Sequence, residues 1–383
     1  MKHDIIDGRR FDTGTPVRIT LANKAVLKIE AIEKAPDDVW IAPALFDPQI
    51  NGYAGVDFQR DDVTWDELST VAHRMREAAC GQFFYTLTTE AWPVLLGRLA
   101  RAKALRGQSK DLTNAIAGWH VEGPFMSAAP GFHGAHDPAL MLDPTPEHIR
   151  DLRASVPDDP LLITISPERN GAIEAIALAV SLGMRVSLGH TDASAETLDA
   201  AVKAGATGFT HLGNGCTQSL DRHDNIVLRM IDNPGLCASV IPDAIHVSPP
   251  MFRLMHSALV PGQTPRVCYT TDAMSAADAP PGRYRIGKVE TEVGADRIVR
   301  MPGKTNFAGS ALRPIDGVFI AADMLRCSWR ETWARASLGA RRYAGLSLKQ
   351  DGAPFCILNV EDNEFKHGRL FANGDAIEIR RTN

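Results

Sequence analysis

Apolar and polar positions along the chain follow two alternating periods. Between about residues 46 and 340, short apolar runs rich in β-branched and aromatic residues alternate with segments whose apolar residues recur at helical spacing. Eight runs read as strands: IAPALFDPQIN (41–51), FFYTLTT (83–89), AIAGWHV (115–121), LLITIS (161–166), RVSLGH (185–190), TGFTHL (207–212), LCASVIPD (236–243) and RVCYTTD (266–272). Helices are expected between them, for example in WDELSTVAHRMREAA (65–79), AIEAIALAVSLG (172–183) and ASAETLDAAVKAGA (193–206). The last two run into glycine, as helix C-termini often do. Eight strand–helix units favour a (β/α)8 TIM barrel, although an open doubly wound sheet satisfies the same pattern.

The two ends of the chain behave differently. Residues 1–45 and 350–383 lack helical periodicity and carry strand-like runs, VRITL, AVLKIEAI, FCILNV and DAIEIR. They are expected to pair as one small β-sandwich-like domain, with the barrel spanning 46–349. Residues 280–305, PPGRYRIGKVETEVGADRIVRMPGKT, alternate without a helical period and read as a hairpin insertion after the eighth strand. No tandem repeat or low-complexity tract interrupts the pattern.

Composition narrows the function. A net charge of −5 over 383 residues, with both signs dispersed, leaves no basic stripe for nucleic acid and no polybasic segment for an anionic membrane. The six cysteines form no CxxC pair, so thiolate zinc sites and disulfide frameworks are not indicated and a reducing cytoplasm is expected. The start, MKHDIIDGRRFD, has no apolar core of signal-peptide type, and no run reaches the roughly 20 apolar residues of a membrane span. Small-molecule chemistry is the default reading.

The chemistry-bearing residues fall at the ends of the predicted strands. Glu122 follows the third, His190 the fifth and His211 the sixth; His246 comes shortly after the seventh, and Asp272 ends the eighth. In a barrel these C-terminal ends converge on one face. Taken singly, a strand-end His is more often a hydrogen-bonded structural residue and Glu122 before Gly-Pro more often a turn residue, while for Asp272 a helix N-cap before AMSAAD is the less frequent alternative. Their coincidence points instead to a site of one carboxylate and two imidazoles suited to Zn²⁺ or Fe²⁺, with a position left for water. Asp272 is then available as a proton shuttle. His120, two residues before Glu122, is expected one layer deeper in the barrel, supporting the site.

The ordered blocks PALFDPQINGYAGVDF, HVEGPF, SLGHTDAS, GATGFTHLGNG, PDAIHVSP, TTDAMSA and FAGSALRPID resemble those of N-acetylglucosamine-6-phosphate deacetylases, members of the amidohydrolase superfamily. The resemblance covers nearly the whole chain. It implies metal ligation by Glu122, His190 and His211, and Asp272 as general base and then acid. His136 of HGAHDP matches a histidine that polarises the scissile carbonyl, with His133 three residues away as the other choice. The resemblance further implies substrate contacts from His246, Asn214, Gly215 and Arg222, and a homodimer in which the loop arginine reaches the neighbouring site. Many amidohydrolases carry His-x-His on the first strand and hold a second metal with it. Here Gln49-Ile50-Asn51 stand at those vestigial positions, which implies one metal ion per chain, Zn²⁺ first and Fe²⁺ as the other choice.

The implied reaction is hydrolysis of the acetamido group of N-acetyl-D-glucosamine 6-phosphate to D-glucosamine 6-phosphate and acetate. The loop HLGNGCTQSLDRHDN and Pro242 and Ala244 of VIPDAIHV depart from the family pattern, which puts the phosphate contact in question. Two alternatives follow. The same metal chemistry could act on a non-phosphorylated N-acyl amino sugar or another amide, or the chain could be a non-catalytic ligand-binding relative.

Overall fold

The eight apolar runs become eight parallel strands whose outward residues sit under helices. In the computed structural model, which describes residues 3–260, 264–303, 307–348 and 352–381, the barrel strands are Leu45–Ile50, Cys80–Thr88, Ile116–Glu122, Leu161–Ile165, Arg185–Leu188, Gly208–Phe209, Cys237–Val240 and Val267–Tyr269. They pair in sequence order from first to eighth. The ring closes between the ends: Ile50 forms a parallel bridge with Ala273, and the Thr270 and Thr271 hydroxyls donate to the buried Asp47 carboxylate at 2.6 and 2.5 Å. This excludes the open sheet. Helices form where the period predicts them: Trp65–Glu77 starts with a capping box between Thr64 and Glu67, and Ala172–Ser181 and Ala195–Lys203 follow the fourth and fifth barrel strands.

The run 41–51 is two strands rather than one. The Ala44 N–H donates to Pro354 and the Leu45 N–H to Ala79, so consecutive residues hand their hydrogen bonds to different sheets. Val39–Pro43 belongs to a seven-stranded mixed sheet in the order Asp375–Ile379, Glu364–Ala372, Phe355–Glu361, Val39–Pro43, His3–Arg10, Pro16–Ala22, Ala25–Ala31. The sheet curls until Ile19 and Leu21 share an apolar cluster with Ile357 and Phe371. Three of its strands, His3–Arg10, Val39–Pro43 and Glu364–Ala372, do not stand out in the sequence as members of this sheet. The first and last of these are charge-rich, and the middle one is continuous with a barrel strand. The boundary drawn at 349/350 lies outside the described residues.

Residues 280–305 form the hairpin Gly282–Ile286 and Val289–Val293 with a short third strand, Val299–Arg300; Lys304 and Thr305 lie outside the described residues. The hairpin tip is docked over the barrel mouth. The Gly287 N–H donates to the Asp57 carboxylate at 2.8 Å, and Lys288 pairs with Glu90 at 2.8 Å.

Candidate metal centre and active site

Three of the strand-end residues sit in left-handed backbone: His190 at φ 51°, His211 at φ 33° and Asp272 at φ 50°. Non-glycine residues there cost of order 1–3 kcal/mol each, strain that surrounding structure must hold in place. The kinks turn all three side chains over the mouth of the barrel toward Glu122, the last residue of the third strand.

The Glu122 carboxylate is the hub. His211 Nε2 lies 2.8 Å and His190 Nε2 3.6 Å from its Oε1, His136 Nε2 lies 3.6 Å from its Oε2, and the Nε2 atoms of His190 and His211 are 3.2 Å apart. Burial would push the Glu122 carboxyl up, but the three imidazoles outweigh it and hold the group well below the usual carboxylate range. Burial depresses His190 to about 4 against the pull of Glu122. His211, in closest contact with the carboxylate, is raised although burial opposes it.

Hydrogen bonds set the ring orientations. His190 donates from Nδ1 to the Phe132 carbonyl at 2.7 Å, leaving its Nε2 lone pair facing Glu122 and His211. His136 is held through Nδ1 by Thr89, whose hydroxyl lies at 2.9 Å and whose backbone N–H lies at 3.4 Å, and this turns its Nε2 toward Glu122. A Cβ at Gly134 or at Gly215 would meet the His190 ring at 3.1 Å, and both residues have positive φ. Glycine at these two positions lets the loops close on the imidazole.

Glu122, His136 and His190 offer ligand atoms within 4.8 Å of one another, and His211 lies in the same cluster. An ionised buried carboxylate facing an unprotonated imidazole nitrogen is the donor set of a borderline divalent cation, so the cluster fits such an ion.

Asp272 stands beside this cluster on the same cavity, of about 460 Å³. Gln49 Nε2 and Asn51 Nδ2 both donate to its Oδ1, at 2.9 and 2.7 Å. Desolvation first, then the Glu122 charge, push its carboxyl up to about 6. Among the described residues no helix follows it before Pro314–Leu325, so a cap role does not arise.

His246, also on the cavity wall, donates from Nδ1 to Asp243 Oδ2 at 2.6 Å, which turns its other ring nitrogen away from Asp243. Asn214 and Gly215 also line the cavity, whereas Arg222 is exposed and outside it. Of the paired candidates, His136 borders the cluster, while His133 bonds the His136 carbonyl within its own loop at 3.1 Å. His120 lies below, bonded to Thr164 at 2.9 Å and held by burial to about 4. Two partners escaped the sequence reading. Asp243, three residues before His246, carried a signal in the spacing PDAIH; Thr89, which holds the His136 ring, carried none.

No protein-family model matches the chain. It is 30% identical over 309 residues to the N-acetylglucosamine-6-phosphate deacetylase of Vibrio furnissii, covering 80% of this chain and 74% of that protein. It is also 30% identical over 325 residues to an N-acetylgalactosamine-6-phosphate deacetylase of Escherichia coli O157:H7, covering 83% of each. Among solved structures, a mutant N-acetyl-D-glucosamine-6-phosphate deacetylase from Mycobacterium smegmatis in complex with N-acetyl-D-glucosamine-6-phosphate superposes with a TM-score of 0.82 at 26% identity over 98% of this chain and 100% of that one. With the barrel, the strand-end cluster and these relatives together, the chain belongs to the N-acetylglucosamine-6-phosphate deacetylase family of the amidohydrolase superfamily.

Proposed function

We propose that the protein hydrolyses the acetamido group of N-acetyl-D-glucosamine 6-phosphate to D-glucosamine 6-phosphate and acetate, using one divalent cation, Zn²⁺ or alternatively Fe²⁺, held by Glu122, His190 and His211. The observation that carries this is the juxtaposition of Asp272 with the Glu122 cluster on one cavity, in a chain of this family. A cation bound there supplies Lewis acidity and lowers the pKa of water toward about 7.

The protein's own groups account for the proton. Asp272 accepts it from the attacking water at the oxygen not engaged by Gln49 and Asn51, and a C–O bond forms as the acetyl carbon becomes tetrahedral. His136, held by Thr89 on the cavity wall, is assigned the role of stabilising the negative charge that develops on the carbonyl oxygen. Asp272 then returns the proton to the sugar nitrogen, the C–N bond breaks, and acetate and the amine leave. His246, steadied by Asp243, and Asn214 with Gly215 orient the sugar.

The phosphate contact is assigned to Arg222 of a second copy, in a cytoplasmic homodimer. An arginine fork suits phosphate, and Arg222 is exposed and free to reach a neighbour. No described helix is long and apolar enough to cross a membrane. That same exposure, away from the chain's own cavity, favours the second reading, an N-acyl amino sugar without the phosphate. Comparing acetate release from the gluco and galacto epimers, each with and without 6-phosphate, decides: equal rates with and without phosphate sink the first reading.

A further inference from the structure

The block FAGSALRPID (307–316) takes no part in the reaction described above, yet Phe307, Ala308 and Gly309 line the cavity. Ser310 follows them; it is 1% exposed and does not line the cavity itself. It runs beside the end of the eighth strand, where Ala273 forms parallel bridges with Ser310 and with Ile50. Along this contact the Ser310 hydroxyl donates to the Thr271 carbonyl at 2.5 Å, and the Ser310 N–H donates to the Asp272 carbonyl at 2.9 Å. The Met274 N–H in turn donates to the Ser310 carbonyl at 3.0 Å, and the Leu312 N–H to the Ser310 hydroxyl oxygen at 3.1 Å.

The Thr271 and Asp272 carbonyls belong to the peptide planes just before and just after the Asp272 Cα, and the rotation of those planes about it is what φ and ψ describe. Asp272 holds φ 50°, a conformation that a non-glycine residue keeps only where its surroundings impose it. Thr271 is also gripped by the first strand, its N–H and hydroxyl donating to Asp47 at 3.1 and 2.5 Å. We propose that Ser310 is a positioning residue for the proton shuttle: by holding both peptide planes it keeps the Asp272 backbone left-handed and so aims the carboxylate over the barrel mouth. Its hydrogen bonds go to the backbone around Asp272 and to its own loop, not to Glu122, His190 or His211. The inference rests on the deacetylase reading, in which Asp272 carries the proton.

The test compares metal-loaded wild type, Ser310→Ala, Asp272→Asn and the double variant on N-acetylglucosamine 6-phosphate, with metal content, kcat and KM measured for each. Ser337→Ala is the control: Ser337 is as deeply buried, its hydroxyl likewise donates to a backbone carbonyl, that of Trp333 at 2.6 Å, and it does not line the cavity. Ser310→Ala is expected to lower kcat about 10- to 100-fold, as a misplaced catalytic group does, with KM and metal content within about twofold of wild type. In the Asp272→Asn background the same substitution should change kcat by less than about twofold, because the group it positions no longer shuttles a proton. Ser337→Ala should lower the melting midpoint and leave kcat unchanged. If Ser310→Ala does not fold, Ser310→Cys carries the same comparison. No loss of kcat, a loss of equal size in both backgrounds, or an equal loss in Ser337→Ala overturns the inference. A wild type that releases no acetate instead overturns the underlying deacetylase reading and takes the inference with it.

Discussion

Asp272 is where geometry and charge meet most directly. Its carboxyl, pushed up to about 6 by desolvation and then by Glu122, must be ionised to take a proton from water. Activity should therefore fall about tenfold per pH unit on the acid side of about 6 and level off above it. A bound cation stabilises the ionised form and draws that limb lower. A pH profile of kcat/KM checks this, and a limb that persists in Asp272→Asn would remove Asp272 from the role. The same variant should keep its metal and lose about 10²- to 10⁴-fold in kcat, since an amide cannot shuttle the proton. Glu122→Ala removes the carboxylate at the centre of the cluster and is expected to lose metal and turnover together; normal metal content by elemental analysis would refute the ligand assignment. Residue identities at strand ends were readable because a polar side chain closing an apolar run stands out, as Glu122, His190, His211 and Asp272 all do. The hydrogen-bond partners were less so. Thr89 and Asp243 are ordinary loop residues until the fold brings one to His136 and the other onto His246.

At the scale of elements, the loop after the sixth strand and the hairpin at Gly282–Val293 both contribute to the cavity wall. Gly215 has φ +62°, and a Cβ there would press on the His190 ring at 3.1 Å. Gly215→Ala is thus expected to displace His190 and weaken metal affinity roughly 10-fold, as disturbed ligand orientation does elsewhere; a metal titration monitored by activity measures it. The hairpin places Ile286 on the cavity wall and is pinned at its tip by Asp57. Asp57→Ala should free the tip, raise KM more than it lowers kcat, and expose the hairpin to limited proteolysis, whereas unchanged KM and unchanged cleavage would leave the hairpin without a part in the site. The alternation of 280–305 announced these strands, but not their docking, which depends on a carboxylate more than 200 residues earlier in the chain.

For the whole molecule, barrel and curled sheet share one continuous stretch of chain at Pro43–Leu45, which is why a single apolar run hid two strands. The eightfold repetition was legible because every parallel strand is buried on both faces and reads as an apolar run. The mixed sheet was less so: His3–Arg10 and Glu364–Ala372 are charge-rich and Val39–Pro43 runs straight into a barrel strand, so these three do not stand out as apolar runs of their own, whereas Ala25–Ala31 was legible although every residue of it is exposed. Arg222 is exposed and lies outside the cavity of its own chain, so the phosphate contact proposed for it requires a second copy. The measurement that bears most directly on the central claim is acetate release from N-acetylglucosamine 6-phosphate by metal-loaded protein before and after chelation. The account predicts one acetate per D-glucosamine 6-phosphate formed, abolished by chelation and restored by added Zn²⁺ or Fe²⁺; release that is absent throughout, or indifferent to metal removal, would contradict it.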